Sequence, residues 1–178
     1  GGFPGRVETV MAHNTGATPS LYAIANQGGL YVKDEYFDIT KNPMHLGKRD
    51  ASAAPFAGVS SMYDITSGGT VGPSELDDLT TARWQHINFP NPAGVWLIAV
   101  SGQDNPIIID KDGIINRLVS GTGGADHTIN GIDPAKFVQV YSHQKRLWFV
   151  EKGTTYAWYL PPDQVWGIAT SFNPGANW

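Results

Sequence analysis

Hydrophobic and polar positions along the chain fall into three stretches built to one plan. The first runs Val7-Glu-Thr-Val-Met-Ala-His13, a polar turn, Leu21-Tyr-Ala-Ile-Ala25, Asn-Gln-Gly-Gly and Leu30-Tyr-Val-Lys-Asp34. The second runs Arg83-Trp-Gln-His-Ile-Asn-Phe89, Pro-Asn-Pro-Ala-Gly, Val95-Trp-Leu-Ile-Ala-Val100, a turn and Ile107-Ile-Ile-Asp110. The third runs Phe137-Val-Gln-Val-Tyr-Ser-His143, Gln-Lys-Arg, Leu147-Trp-Phe-Val-Glu151, Lys-Gly-Thr and Thr155-Tyr-Ala-Trp-Tyr-Leu160. β-Branched and aromatic residues fill the runs, and Gly, Pro and Asn break them. Each stretch therefore predicts a three-stranded antiparallel meander.

The middle strands begin near Leu21, Trp96 and Leu147, at intervals of 75 and 51 residues. The second interval is close to the repeat of one propeller blade, and the first equals it plus an insertion. The expected fold class is all-β: antiparallel meanders forming partial β-propeller-like blades, with a β-sandwich or barrel as the alternative. The expected organisation is a first meander over 1–35, a loop-rich insertion over 36–81 and two further meanders over 82–178, within one continuous β domain. Inside the insertion, one strand is expected from Gly58 to Ile65. A single helical turn is expected at Ser74-Glu-Leu-Asp-Asp-Leu79, with Ser74 as its N-cap. Three modules are too few to close a propeller, which typically has four to eight blades. The chain begins on Gly rather than Met, so it is expected to be a piece of something longer or to be completed by other chains.

Composition narrows the function classes. Charged residues are 16% of the 178, below the usual quarter, and 21 Gly with 12 Pro argue against a helical bundle. Twelve Lys and Arg against 16 Asp and Glu give a net charge of −4, a poor basis for gripping nucleic-acid phosphates. With no cysteine, disulfides, zinc–thiolate sites and thiol nucleophiles are excluded. No apolar run approaches the ~20 residues of a helical membrane span.

Candidate chemistry is sparse. Asp110-Lys-Asp112-Gly113 has the look of a calcium loop, but the EF-hand ligand positions on either side are Ile108 and Val119. Between two isoleucine runs it is expected to be a hairpin turn, a bound cation being the alternative. Gly121-Thr-Gly-Gly124 lacks the Lys-Ser/Thr and the helix of a phosphate loop and reads as a plain loop. Gly58-Val-Ser60 is followed by Ser-Met, so it is no nucleophile elbow. Among the histidines at 13, 45, 86, 127 and 143, His13, His86 and His143 each lie in the first strand of a module. That repetition favours a shared packing or turn role, with metal sharing between modules as the lesser reading. Asp77, Asp78 and Asp104 are the acids available for a glycosidase pair, though adjacent loop acids are ordinarily solvated surface. No catalytic residue, cofactor or metal ligand is assigned.

Aromatic residues are the main anomaly. Of twenty, ten fall within the last 42 positions, including Trp148, Trp158, Tyr159 and Trp166. In Thr155-Tyr-Ala-Trp-Tyr-Leu160, Tyr156 and Trp158 share one strand face and Tyr159 takes the other. Aromatics on both faces are expected to meet the core on one side and a neighbouring subunit on the other, a sugar-stacking platform being the alternative. Arg146, Trp148, Trp158, Tyr159 and Trp166 are the expected structural and interface residues.

These same strings carry a resemblance. Ala82-Arg-Trp-Gln-His-Ile-Asn-Phe89, Gly94-Val-Trp-Leu-Ile-Ala-Val-Ser-Gly-Gln-Asp-Asn-Pro106 and Arg146-Leu-Trp-Phe-Val-Glu-Lys-Gly-Thr-Thr-Tyr-Ala-Trp-Tyr-Leu-Pro161 resemble a family of tailed-bacteriophage virion proteins. Arg6-Val-Glu-Thr-Val10, Leu21-Tyr-Ala-Ile-Ala25 and Gly29-Leu-Tyr-Val32 are similar to its amino-terminal part. The resemblance spans Arg6 to Gly167 and is weakest over 36–73. It implies a propeller-type component of the tail tube, nozzle or head–tail connector, in a longer chain than this one and without catalytic residues. The implied partners are copies of itself in a ring, portal, adaptor or other tail proteins, and DNA in transit, contacted non-specifically. The implied location is the virion.

Overall fold

The computed structural model describes residues 7–15, 20–25, 30–33, 79–122 and 125–177. The expected strand at 58–65 lies outside them, as does all of the expected helical turn except Leu79. The chain divides into two compact units, 1–83 and 84–178.

In the first unit, β1 (Val7–His13), β2 (Ser20–Ala25) and β3 (Leu30–Lys33) form an antiparallel sheet in that order. Alternation along β1 buries Thr9, Met11 and His13 and leaves Val10 and Ala12 exposed. Tyr22 and Ile24 of β2 are buried beside them. The Thr9 hydroxyl donates to the Ala82 carbonyl at 2.6 Å, and the Arg83 guanidinium reaches the Glu8 carboxylate at 2.8 Å. The first bond satisfies a buried hydroxyl, which unpaired would cost about 1–3 kcal/mol.

The second unit holds two four-stranded antiparallel sheets. One runs β4 (Gln85–Asn91), β5 (Gly94–Val100), β6 (Ile107–Ile109), β7 (Ile115–Arg117), each strand pairing with the next. The short strands β8 (Val119–Ser120) and β9 (Thr128–Asn130) follow. The other large sheet is made of β10 (Phe137–His143), β11 (Arg146–Glu151), β12 (Ala157–Tyr159) and β14 (Thr170–Phe172). Between β12 and β14, β13 (Gly167–Ile168) leaves to pair parallel with β9, which also pairs parallel with β8.

The two large sheets close on one core. Phe89, Trp96, Ile98, Val100 and Ile108 come from β4–β6, and Phe137, Val140, Leu147 and Phe149 from β10–β11. Leu118, Ile129, Leu160, Val165 and Ala169 from the connecting segments complete it. Phe137 and Phe149 stack at 4.3 Å with 11° between their planes. Gly102 lets the two sheets approach: a Cβ there would lie 2.4 Å from Val138 Cγ1, and its φ of +71° already disfavours a side chain. Lys152 Nζ donates to the Gly102 carbonyl at 3.0 Å, tying the same corner.

The antiparallel all-β expectation holds, and the strands of all three predicted meanders lie where the hydrophobic runs placed them. The fold adds a fourth strand to each of the last two meanders, β7 and β14, and a small parallel sheet that no alternation announced. Strands of two or three residues are too short to display a period. Among the described residues no sheet closes on itself into a barrel, and no helix is long and apolar enough to cross a membrane.

One repeat is exact in register. In β1–β2, Val7 pairs with Ala25, a bulge follows at Glu8, and Thr9 to His13 pair with Ile24 to Ser20. In β10–β11, Phe137 pairs with Glu151, a bulge follows at Val138, and Gln139 to His143 pair with Val150 to Arg146. Met11 opposite Tyr22 thus corresponds to Tyr141 opposite Trp148. In the β4–β5 hairpin the pair at the same distance from the tip is Phe89 opposite Trp96.

Candidate functional site

The fold brings three of the five expected site residues together. Directly paired residues share a sheet face, so Tyr141, Trp148, Tyr159 and Thr170 form one row across β10, β11, β12 and β14. Gln139, Val150, Ala157 and Phe172 form the next row, and His143 with Arg146 a third at the hairpin tip. This face points away from the core. Trp148 packs on Tyr159 at 4.7 Å and meets Phe172 edge-on at 6.4 Å. The Arg146 guanidinium lies 5.4 Å from the centre of the Tyr159 ring, a cation–π geometry, and donates a long 3.4 Å bond to the Leu160 carbonyl. Tyr141 and Phe172 remain 51% and 50% exposed, so the face is an apolar patch in water. The Tyr141 hydroxyl donates to Gln139 Oε1 at 3.0 Å. The Trp148 indole N–H is buried and meets no acceptor among the described residues.

The other two expected residues stand elsewhere. Trp158 lies on the opposite face of β12 from Tyr159, opposite Phe149, and packs against the core. Its indole N–H donates to Glu151 Oε2 at 2.9 Å. Trp166 also packs on the core, edge-on to Trp96 at 5.5 Å and to His127 at 4.8 Å. Tyr141 and Phe172 belong to the outer face and were absent from the sequence-based set. Phe172 follows no recognisable strand run, but Tyr141 sits in a strand whose alternation already put it opposite to Val140.

At Asp110-Lys-Asp112-Gly113 the chain makes the hairpin turn between β6 and β7. Asp110 Oδ1 accepts from the backbone N–H of Asp112 at 2.9 Å and of Ile114 at 2.8 Å, and Gly113 has φ +78°. That carboxylate oxygen is thereby engaged by its own loop. Lys111 and Asp112 form an exposed ion pair at 2.6 Å, and the hydrogen bond to Asp112 raises the Lys111 pKa.

The histidines do not form one set. His13 and His143 end the first strand at matching registers, whereas His86 sits near the start of β4, opposite Ala99. His13 is buried, with its ring 6.3 Å from that of Tyr22, while His143 is exposed. A shared packing role is therefore corrected: the face carrying His13 is covered and the one carrying His143 is open. His86 is half-buried, and its desolvation lowers its pKa.

Asp104 is buried, and its backbone N–H donates to Ser101 Oγ at 2.9 Å, so the serine hydroxyl caps the turn. Asp77, Asp78, His45 and the Gly123-Gly124 end of the glycine run lie outside the described residues. Among the described residues no group of three or more His, Asp or Glu could hold a metal ion. No protein-family model, curated protein or solved structure matches the chain.

Proposed function

We propose that this chain is a non-enzymatic structural subunit of a tailed-phage virion, part of the tail tube, nozzle or head–tail connector ring through which DNA passes. Two lines support the reading. The first is the resemblance of the strings at 94–106 and 146–161. The second, which carries the reading, is an aromatic sheet face left open to water on a β scaffold whose hairpins repeat in register. Each four-stranded meander is read as a propeller-type blade and β1–β3 as a further one, to be completed by other chains. A ring subunit needs flat, apolar contact faces, and the open aromatic face of the β10–β14 sheet supplies one. A net charge of −4 suits a wall past which phosphates must slide without sticking.

Exposure of the Tyr141 and Phe172 rings favours one second reading, a receptor- or carbohydrate-binding tail module that stacks sugars on this face. Electron cryo-microscopy of intact particles from the source separates the two. The scaffold reading expects the chain in a closed ring on the tail axis, with the aromatic face between subunits. Density at a peripheral fibre or tip, with that face in solvent, would overturn it.

A further inference from the structure

Sheet packing in the second unit brings together two kinds of face, and residues of each kind stand open elsewhere in the chain. The face of the β4–β7 sheet that carries the Phe89–Trp96 pair packs on the face of the β10–β14 sheet that carries Val140, Leu147 and Phe149. The same two kinds of face recur at matching register in the other sheets. The pair equivalent to Phe89–Trp96 is Tyr141–Trp148 in the β10–β14 sheet, and this is the open aromatic face. The residues of β1 equivalent to Val140 and Ser142 are Val10 and Ala12, and both are exposed, Val10 to 58%. By contrast, Met11 and Tyr22, the β1–β2 equivalents of Phe89–Trp96, are buried, and so are Leu97, Ile109 and Ile115 on the other face of the β4–β7 sheet. The aromatic-type face of the β10–β14 sheet therefore remains open, as do the β1 residues at the aliphatic-type register, Val10 and Ala12, and faces of these two kinds pack together inside the second unit.

We infer that the Tyr141–Trp148–Tyr159–Phe172 face of one copy of this chain docks the Val10–Ala12 face of β1 in a second copy. The inference rests on the ring-subunit reading for its occupant, a second copy, and on strand register for the two faces that meet. The contact is heterologous: each copy uses one face to receive and another to insert, so repetition closes a ring or extends a filament. Burial of an exposed valine and two half-exposed aromatic rings supplies the drive, and the Val140–Phe149 packing supplies the geometry.

Sedimentation velocity on the purified chain, with Val10→Arg and Tyr141→Arg variants, tests this. Both substituted side chains are more than half exposed, and circular dichroism checks that each variant is folded. The wild type is expected to associate reversibly as concentration rises, and each variant alone to lose at least about tenfold in affinity, near 1.4 kcal/mol. An equimolar mixture of the two variants is expected to give a one-to-one complex that grows no further, because Val10→Arg keeps its aromatic face and Tyr141→Arg keeps its β1 face. A wild type still monomeric at about 1 mM overturns the docking. So does association that survives both substitutions, or a mixture that stays monomeric. A capped one-to-one complex from a chain found nowhere in the virion would keep the docking and overturn the phage reading instead.

Discussion

Asp110 shows how one side chain settles a choice that sequence leaves open. Its Oδ1 holds two backbone N–H groups of the β6–β7 turn, so the carboxylate acts as a turn-forming group. Asp110→Ala is expected to destabilise the chain by about 1–2 kcal/mol, while Asp110→Asn, which keeps an equivalent oxygen, should lose much less. Urea unfolding of both variants, with and without added calcium, is the check. A wild-type midpoint that rises with calcium and an Asp110→Asn variant as weak as Asp110→Ala would point to a cation site after all.

His86 makes a prediction of pH dependence at the same scale. It lies in a row with Ala99, Ile107 and Arg117 across β4–β7, and burial lowers its pKa below the usual 6.5. Above pH 6.5 the imidazole is neutral in both folded and unfolded chains and costs nothing. As the pH falls below 6.5, the unfolded chain takes up the proton first, so stability is lost until the folded-state pKa is passed. His86→Gln is expected to flatten that part of the stability curve as the pH falls below 6.5. Denaturant midpoints measured across the range decide it, and parallel curves for the two proteins would reject the assignment.

At the scale of elements, the β10–β11 hairpin carries a strain that composition concealed. Its two-residue loop places Gln144 and Lys145 at φ +49° and +60°, the left-handed region that such turns require and that Asn-Gly fills best. The loop is held from outside: the Asp163 N–H donates to the Lys145 carbonyl at 2.7 Å, and Asn91 Nδ2 donates to the Asp163 carbonyl at 3.0 Å. Lys145→Gly is therefore expected to stabilise the chain by about 1 kcal/mol, read as a higher thermal midpoint. A lower midpoint would mean that the lysine side chain contributes more than its backbone costs. The strands themselves were legible in sequence, since runs such as Val95–Val100 and Phe137–His143 combine β-formers with flanking breakers. The fourth strands were not. Thr170-Ser-Phe172 is three exposed residues with no apolar alternation, and it joins the sheet because β12 offers an unpaired edge.

For the molecule as a whole, sequence alone determined the all-β antiparallel character, the placement of the long strands and the concentration of aromatics near the carboxy terminus. Those follow from local causes: β-propensity, period-two alternation and turn residues act within a few positions. Part of the candidate surface was legible too, because alternation in Thr155–Leu160 already set Trp158 and Tyr159 on opposite faces. Tertiary structure decided which of those faces is covered. Trp158 and Trp166 went to the core and Trp148 and Tyr159 to the outside, although all four read alike as aromatics in or near strands. It also decided that Val10 is open while Val140, its register equivalent, is buried. Burial is a property of what packs against a strand, and that partner lies tens of residues away in sequence. Local pattern fixes the two faces of a strand; only the fold chooses between them.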